Sequence, residues 1–387
     1  MRLGLTALIG SAFAAFALSA CSQEPDLIGE PEPVFHAETD PVDALAWGQF
    51  RIEDGALVLA DGVTPYDLNT QLFTDYAMKL RTVWLPTGAE PAVYDGRETF
   101  SFPIGTVITK TFYYPRAGGG FDRVVQSNER LAHFDGRRLD LSEVRLIETR
   151  ILVRREAGWD ALPYVWREDQ RSAPLMRIGS AFDLTLVALD RTERPLGYLT
   201  PDVNQCAGCH ETDTTAGDVR PIGPKARHLN SDFAYFEGTA NQLAVWSEGG
   251  LLAGAPDAEA APRNTLWSYG EVSLVQLDAT ARSYLDINCA HCHSRTGPAD
   301  TSGLYLEPWE PSGPNLGLCK PPIAAGRGTG GRVFSIVPGD AEASILHHRM
   351  VSERADIMMP ELGRALSHAE GAALIAQWID AMTGGCA

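Results

Sequence analysis

The sequence predicts an α+β protein in which an N-terminal β-sandwich-like domain is followed by a mostly α-helical region. Between residues 58 and 200, short apolar runs alternate with turn residues, which is typical of strands. After Pro201 such runs become rare, and apolar residues at helical spacing appear instead. These changes divide the 387 residues into a signal peptide (1–20), a tether (21–57), a β domain (58–200), a first motif-bearing segment (201–270) and a C-terminal domain (271–387).

The N-terminus predicts export. Arg2 precedes an apolar run over residues 3–20 that is rich in small side chains, as in secretory signals. Leu18-Ser-Ala-Cys21 resembles the lipobox of bacterial lipoproteins. The resemblance implies that Cys21 is lipidated and, because Ser22 follows it, that the protein lies at the periplasmic face of the outer membrane. The alternatives are a plain signal peptide with an incidental cysteine and a retained membrane anchor.

The β domain is predicted from four runs of β-branched and aromatic residues. They occupy residues 99–102, 106–114, 145–153 and 182–189, and Gly, Pro or Asp bounds them. Residues 116–120 and 134–136 are turn candidates between the runs, and the whole is interpreted as a β-sandwich-like domain.

Helices are predicted farther along the chain. Residues 240–252 form one, and residues 277–288 form another with an apolar face. The last helix begins at a predicted capping box of Ser367 and Glu370 and ends before Gly384-Gly385.

The chemistry is concentrated in a C-x-x-C-H pattern that occurs twice, at Cys206, Cys209 and His210 and again at Cys289, Cys292 and His293. Two thiols three positions apart can bond to the two vinyl groups of one haem, and the adjacent histidine can then ligate the iron. The sequence therefore predicts two covalently bound haem c groups. A zinc site, a thioredoxin-like dithiol and two short-range disulfides are the alternatives. None of them explains why a histidine follows both pairs.

The second motif resembles class I cytochromes c. A predicted helix leads into Cys289, and Met359-Pro360 precedes the terminal helix. In that family such elements wrap one haem. The resemblance implies that His293 is the proximal ligand and Met359 the distal ligand, with Met358 as the alternate. Thioether ligation raises the haem potential.

The first motif lacks these features. No methionine lies between His210 and Cys289, so the first iron takes its distal ligand from elsewhere or keeps an open position. His228 is the local candidate for a metal ligand, and Met176 and His133 of the β domain are the others.

Over residues 65–382 the chain resembles an uncharacterised bacterial family of dihaem c-type cytochromes. The stretches that carry the resemblance are DLNTQLF at 67–73, FPIGTV at 102–107, YVW at 164–166, NQCAGCH at 204–210, PIGPK at 221–225, NCAHCH at 288–293 and VPG at 337–339. The resemblance implies the number of haems and the domain order, but no substrate.

Two further cysteines belong to the C-terminal domain, where Cys319 lies in the long loop and Cys386 lies at the tail. In an oxidising compartment we expect them to form a disulfide.

The balance of charges limits the partners. Asp and Glu number 50 against 32 Lys and Arg, a formal net charge of −18. Such a field repels phosphate backbones, which argues against nucleic acid as a partner. The negative charge favours a basic partner, or it simply keeps the protein soluble.

The sequence therefore predicts a periplasmic dihaem cytochrome that transfers electrons between redox proteins and meets the membrane only through its lipid anchor. One alternative is a peroxidase-like enzyme with an open position on the first haem. Another is a ligand-binding β domain with tethered haems.

Overall fold

The computed structural model describes residues 32–118, 120–323 and 326–386. The predicted signal peptide, the lipidation site Cys21 and the start of the tether lie outside these ranges. The strands up to residue 200 are β1 (Phe50–Glu53), β2 (Ala56–Leu59), β3 (Thr64–Tyr66), β4 (Met78–Trp84), β5 (Ala92–Val93), β6 (Val107–Pro115), β7 (Arg123–Val125), β8 (Arg138–Asp140), β9 (Val144–Arg155), β10 (Gly158–Val165), β11 (Ser180–Val187) and β12 (Glu193–Thr200).

Most of these strands belong to three sheets. The largest has the order β10-β9-β6-β4-β3, and all of its neighbouring strands are antiparallel. The others have the orders β1-β2-β8 and β12-β11-β7, and β11 pairs with β7 in parallel. Every residue of β4 is buried, because this interior strand is covered on both faces.

After residue 200 the regular elements are short. The helices are α1 (Val203–His210), α2 (Ala226–Leu229), α3 (Gln242–Glu248), α4 (Leu277–Leu285), α5 (Ile345–Val351) and α6 (Ala369–Asp380), and the strands are β13 (Asp232–Tyr235), β14 (Gly238–Asn241) and β15 (Leu252–Ala253). The 3₁₀-helical turns are Ala44–Trp47, Asp300–Ser302, Pro314–Leu316 and Gly326–Thr329, and a π-helical turn covers Asp286–Ala290. Within the described ranges, no helix combines the length and the apolar character needed to span a bilayer.

The predicted fold class is wrong. The protein consists mostly of strands in several sheets with few helices, and the region after residue 200 is not mostly α-helical. Loops connect its short helices, and residues 311–331 alone contain many glycines and prolines. Both residue types oppose helix formation, glycine through backbone entropy and proline through its missing N–H.

The two parts of the chain share a hydrophobic core. Tyr66, Val83 and Ile108 of the large sheet belong to the same buried cluster as Leu243 and Trp246 of α3. In addition, β15 pairs in parallel with β5. The segment that carries the first motif is thus packed directly against the β domain.

The C-terminal part has a core of its own, in which α4 packs against α6. Leu285 of α4 and Ile375 and Ile379 of α6 lie in one buried cluster. Trp378 Nε1 donates to Asp278 Oδ1 at 2.8 Å. A helix that leads into the second motif thus lies against the closing helix.

The predicted capping box of α6 does not form. The helix begins at Ala369, and no side chain of its N-cap residue His368 caps it. Ser367 instead bonds to Glu353, at 3.2 Å from the hydroxyl. Glu370 accepts hydrogen bonds from Tyr76 and Gln126. Both side chains of the predicted cap therefore bond to residues that are distant in the sequence.

Candidate functional site

The first motif forms part of α1. Asp202 and Gln205 make a capping box, in which Gln205 N donates to Asp202 Oδ1 at 2.8 Å and Asp202 N donates to Gln205 Oε1 at 3.0 Å. Cys206, Cys209 and His210 follow on the same short helix. A spacing of three residues places both thiols on one helical face, as the attachment of one haem requires.

The second motif continues α4 through the π-helical turn Asp286–Ala290. The backbone N–H groups of Cys292 and His293 donate to the carbonyl of Cys289, at 3.1 and 2.9 Å. The motif is therefore a compact turn at the end of a helix, and its local structure differs from that of the first motif.

Both motif histidines have their Nδ1 atom held by a neighbour. His210 Nδ1 lies 2.8 Å from the carbonyl oxygen of Arg220, and His293 Nδ1 lies 3.4 Å from Ser302 Oγ. Such a partner fixes the tautomer with the proton on Nδ1 and leaves Nε2 free to bind a metal. The donor set of each motif therefore fits a haem iron.

The protonation of these side chains agrees with that fit. Burial, with the charge of Lys110 as the next cause, lowers the pKa of His210 to about 3. Burial and Arg349 lower the pKa of His293 to about 4. Both imidazoles are thus neutral at physiological pH, as iron ligands must be.

Burial raises the pKa of the four motif thiols. The pKa of Cys289 and that of Cys292 rise to about 12, and those of Cys206 and Cys209 also rise. Zinc binding and dithiol redox chemistry both need thiolates. The raised pKa argues against dithiol redox chemistry, whereas it does not bear on zinc, because a bound metal deprotonates its thiol ligands.

The fold brings the two motifs together. Cys292 Sγ lies 4.0 Å from the carbonyl oxygen of Gly208, although these residues are 84 positions apart in the chain. Just beyond the motifs, Thr214 N donates to Thr296 O at 2.9 Å, and Thr296 Oγ1 donates to Thr212 O at 3.2 Å. The two motifs are therefore neighbours in one site.

The segment with the predicted distal methionine is anchored next to this site. Met359 N donates to Arg349 O at 3.0 Å, and Arg364 donates from Nη2 to Met359 O at 2.9 Å. Met358 is buried and Met359 is partly exposed. Leu362 Cδ1 lies 3.5 Å from the position that a Cβ would take at Gly208, so this segment contacts the first motif as well.

His228, the predicted local ligand of the first iron, is held in a buried network beside the second motif. Its Nδ1 lies 3.3 Å from Asn264 Nδ2, and its Nε2 lies 3.6 Å from Asp286 Oδ2. Arg227 donates to both oxygens of Asp286, at 2.6 and 2.9 Å. Burial lowers the pKa of His228 to about 3, so the ring is neutral.

The two distal candidates from the β domain lie in different places. Met176 is partly exposed, and its neighbour Arg177 accepts a hydrogen bond from Val203 N at the start of α1, at 3.2 Å. His133 is exposed, in the loop before β8. Of the two, Met176 is on a segment that contacts α1.

Two charged residues of the large sheet face the first motif and were not among the predicted site residues. The charges of Arg150 and Lys110 act on the thiols of both Cys206 and Cys209. The sequence contains a signal for these residues, because Lys110 and Arg150 each interrupt an apolar run that was predicted to be a strand. His291 was also overlooked. Its Nδ1 is buried, without a hydrogen-bond partner in the described part of the chain, and burial lowers its pKa to about 4.

Cys319 and Cys386, the pair predicted from the sequence, form a disulfide with a Cα–Cα distance of 5.3 Å. The bond closes a segment with a sequence separation of 67. It ties the loop after the second motif to the tail that follows α6.

Comparisons with protein-family models, with curated proteins and with solved structures find no match to this chain.

Proposed function

We propose that the protein is a dihaem c-type cytochrome that transfers electrons between redox partners. The observation that carries the proposal is the juxtaposition of two C-x-x-C-H motifs, with Cys292 Sγ 4.0 Å from Gly208 O. Each motif supplies two neighbouring thiols and a neutral histidine whose Nδ1 is already engaged. A four-thiolate zinc site would also bring the two cysteine pairs together, but it would leave the histidine that follows each pair without a role.

The chain would hold each cofactor with its own set of residues. Cys206 and Cys209 would form thioethers at the first site, and His210 would be the proximal ligand. Cys289, Cys292 and His293 would do the same at the second site, with Met359 as distal ligand and Met358 as the alternate. Haem bound there supplies one-electron redox chemistry. The protein fixes the tautomers and shields the sites from water.

The proposal includes export and lipid anchoring through Cys21, with the protein at the periplasmic face of the outer membrane. The sequence of residues 1–21 supports this part. The partners would be periplasmic redox proteins, and the net charge of −18 favours those with a basic docking surface.

A peroxidase-like enzyme is the second candidate function. The observation in its favour is that His228 is engaged by Asn264 and lies beside Asp286. If no other side chain ligates the first iron, a small oxidant could bind there. The open position would then lie on the iron held by His210.

Selective removal of each cysteine pair tests the haem assignment. The Cys206→Ala/Cys209→Ala and Cys289→Ala/Cys292→Ala variants are each expected to retain one covalent haem, measured from the intact mass and the haem absorbance. The Cys319→Ala/Cys386→Ala variant is the matched control and should retain two. An unchanged haem content in either motif variant would contradict the proposal.

Electron paramagnetic resonance of the oxidised protein separates the two candidate functions. Two low-spin irons per chain support the electron carrier. One low-spin and one high-spin iron support the enzyme, and the high-spin signal should disappear in the Cys206→Ala/Cys209→Ala variant.

A further inference from the structure

Six side chains of the large sheet form a two-by-three grid on one face. Cross-strand pairing places Arg81, Lys110 and Arg150 in one row. Lys79, Phe112 and Glu148 form the adjacent row. Directly opposed residues of antiparallel strands point to the same face, so this face of β4, β6 and β9 is charged.

The cations of this grid crowd around a single aromatic ring. The Nζ atoms of Lys79 and Lys110 lie 5.5 and 5.3 Å from the centroid of Phe112, and Arg150 Cζ lies 4.3 Å from it. Phe112 has no exposed surface, and Lys79 is only 4% exposed. A cation–π contact offsets part of the cost of burying a charge, but it supplies no counter-charge.

The carboxylates at this face are too few for its cations. Glu148 binds Arg150, and Asp67 is shared between Arg81 and Arg130. In the described part of the chain, neither Lys79 nor Lys110 lies within 4.0 Å of a carboxylate. Among the described residues, Lys79 donates only to the carbonyl of Ala77, at 2.7 Å. Arg81 Nη2 is buried without a hydrogen-bond partner among the described residues. The face therefore has unpaired donors and too few counter-charges. Burial lowers the pKa of Lys79, and it lowers that of Lys110 to about 7. An anion bound here would be needed to keep both lysines charged at neutral pH.

The first motif lies against this charged face. Cys209 packs against the buried cluster that contains Val83, Ile108 and Leu152, and these three residues form the next row on the same face of the sheet. The positive charges of Arg150 and Lys110 act on the thiols of both Cys206 and Cys209. Lys110 and Arg150 also act on His210. Tyr198 of β12, just before α1, donates to Glu148 Oε1 at 2.6 Å. The grid and the first haem-attachment motif are thus parts of one site.

We infer that this grid is the anion-binding half of the first haem site, where Lys79, Arg81 and Lys110 hold the carboxylates of the covalently attached haem. The inference rests on the proposed function and gives the β domain a role in it. Haem carries two propionate carboxylates, which would supply the missing negative charges. The remaining positive charge raises the midpoint potential of the first haem, because it disfavours the ferric state, which is the more positive of the two.

Potentiometric titration of the haem-loaded full chain tests this inference at pH 7. In Lys79→Gln and Lys110→Gln, the midpoint potential of the first haem is expected to fall. The ratio of reduced to oxidised haem at a fixed potential should fall about tenfold, which is about 59 mV for one electron. The Cys206→Ala/Cys209→Ala variant keeps only the second haem, so its titration identifies the midpoint potential of that haem. In the lysine variants this second potential should shift less than the first.

Arg138→Gln on β8 is the matched control, since it removes one positive charge from a different sheet. Its first-haem potential should equal that of the wild type. An unchanged potential in both lysine variants, or an equal shift in Arg138→Gln, overturns the inference.

A soluble carboxylate could occupy the grid in place of the haem carboxylates. Titration of the wild type with acetate at constant ionic strength tests this alternative. No change of the wild-type potential is expected. An acetate-dependent fall that is absent in Lys79→Gln would assign the grid to a soluble anion and overturn the inference. A chain with no haem on Cys206 and Cys209 would instead overturn the proposed function. Two covalent haems with unshifted potentials would overturn only the inference.

Discussion

In the proposed second haem site, the adjacent residues Met358 and Met359 are the two candidates for the distal ligand. Met359 is partly exposed, and Arg364 fixes its carbonyl, whereas Met358 is buried. A partly exposed thioether next to an anchored backbone is better placed for ligation than one packed in the core.

We therefore expect Met359→Leu to lower the midpoint potential of the second haem, because a thioether ligand raises it. Met358→Leu is the matched control. It should leave the potential unchanged and cost no more than about 1.5 kcal/mol of stability. Spectroelectrochemistry measures both variants. The reverse pattern would transfer the ligand role to Met358.

His228 differs from the methionines because its ring contacts are polar and buried. Replacing it with Gln removes the ring from its place beside Asn264 and Asp286. We expect a loss of about 1–3 kcal/mol in the free energy of unfolding and no change in the spin state of the first iron. His133→Gln, at an exposed position, is the control. A conversion of the first iron to high spin would show that His228 ligates it.

At the scale of an element, Arg364 organises the segment between α5 and α6. Its guanidinium donates to the carbonyl oxygens of Arg349, Ser352, Met359 and Leu366. Asp75 of the β domain accepts the backbone N–H groups of Ala365 and Leu366. The segment that carries Met359 is therefore fixed from two sides.

Arg364→Met should lower the free energy of unfolding by about 3 kcal/mol, since it leaves several buried carbonyls without a charged donor. Chemical denaturation followed by the haem absorbance gives this value. Arg354→Met, in the same segment but exposed and paired with Asp356, should cost under about 1 kcal/mol. Equal losses in the two variants would contradict this role for Arg364.

His368, the residue before α6, makes the stability of the protein depend on pH. Burial, followed by the charges of Lys79 and Arg364, lowers the pKa of His368 from 6.5 to about 3. Between these two values the unfolded chain binds more protons than the native protein at this residue, so stability falls as the pH falls.

His368→Phe removes this difference in proton binding. It keeps an aromatic ring against Phe73, whose ring stacks on that of His368 with 4.2 Å between the ring centroids. We expect its free energy of unfolding to decrease less steeply than that of the wild type between pH 6.5 and pH 4. Urea titrations at several pH values measure the slope, with His133→Phe as the control. Parallel curves for wild type and His368→Phe would be evidence against this contribution.

For the whole molecule, the disulfide joins the long loop to the tail. Under the chain-entropy model, a closed segment of this length stabilises the fold by about 4 kcal/mol. Cys319→Ser/Cys386→Ser should lower the thermal midpoint and leave the haem content at two. Calorimetry and the intact mass test both parts. A loss of one haem would show that the disulfide also shapes the second site.

The sequence predicts local features of this protein well and long-range ones poorly. The strands near residues 106–114 and 145–153 correspond to β6 and β9, since β-branched residues favour strands wherever these pair. The cysteine motifs and the disulfide pair were also visible in the sequence. The prediction that the region after residue 200 is mostly α-helical was wrong, because stretches rich in glycine and proline, such as residues 311–331, leave it with short helices joined by loops.

The candidate site shows the same division. The spacing of each motif identifies His210 and His293 as candidate ligands. The sequence does not show that the two motifs are neighbours, because this depends on contacts between residues 84 positions apart. The charged grid depends on which strands pair and in which register. No single strand shows that Lys79, Lys110 and Arg150 surround one ring.

Intact mass under denaturing conditions, with labelling of free thiols, tests the central claim most directly. The protein would be produced in a host that attaches haem c. We predict a chain that carries two covalent haems, with Cys206, Cys209, Cys289 and Cys292 unreactive and Cys319 and Cys386 reactive only after reduction. A chain of unmodified mass whose four motif thiols all react would contradict the account.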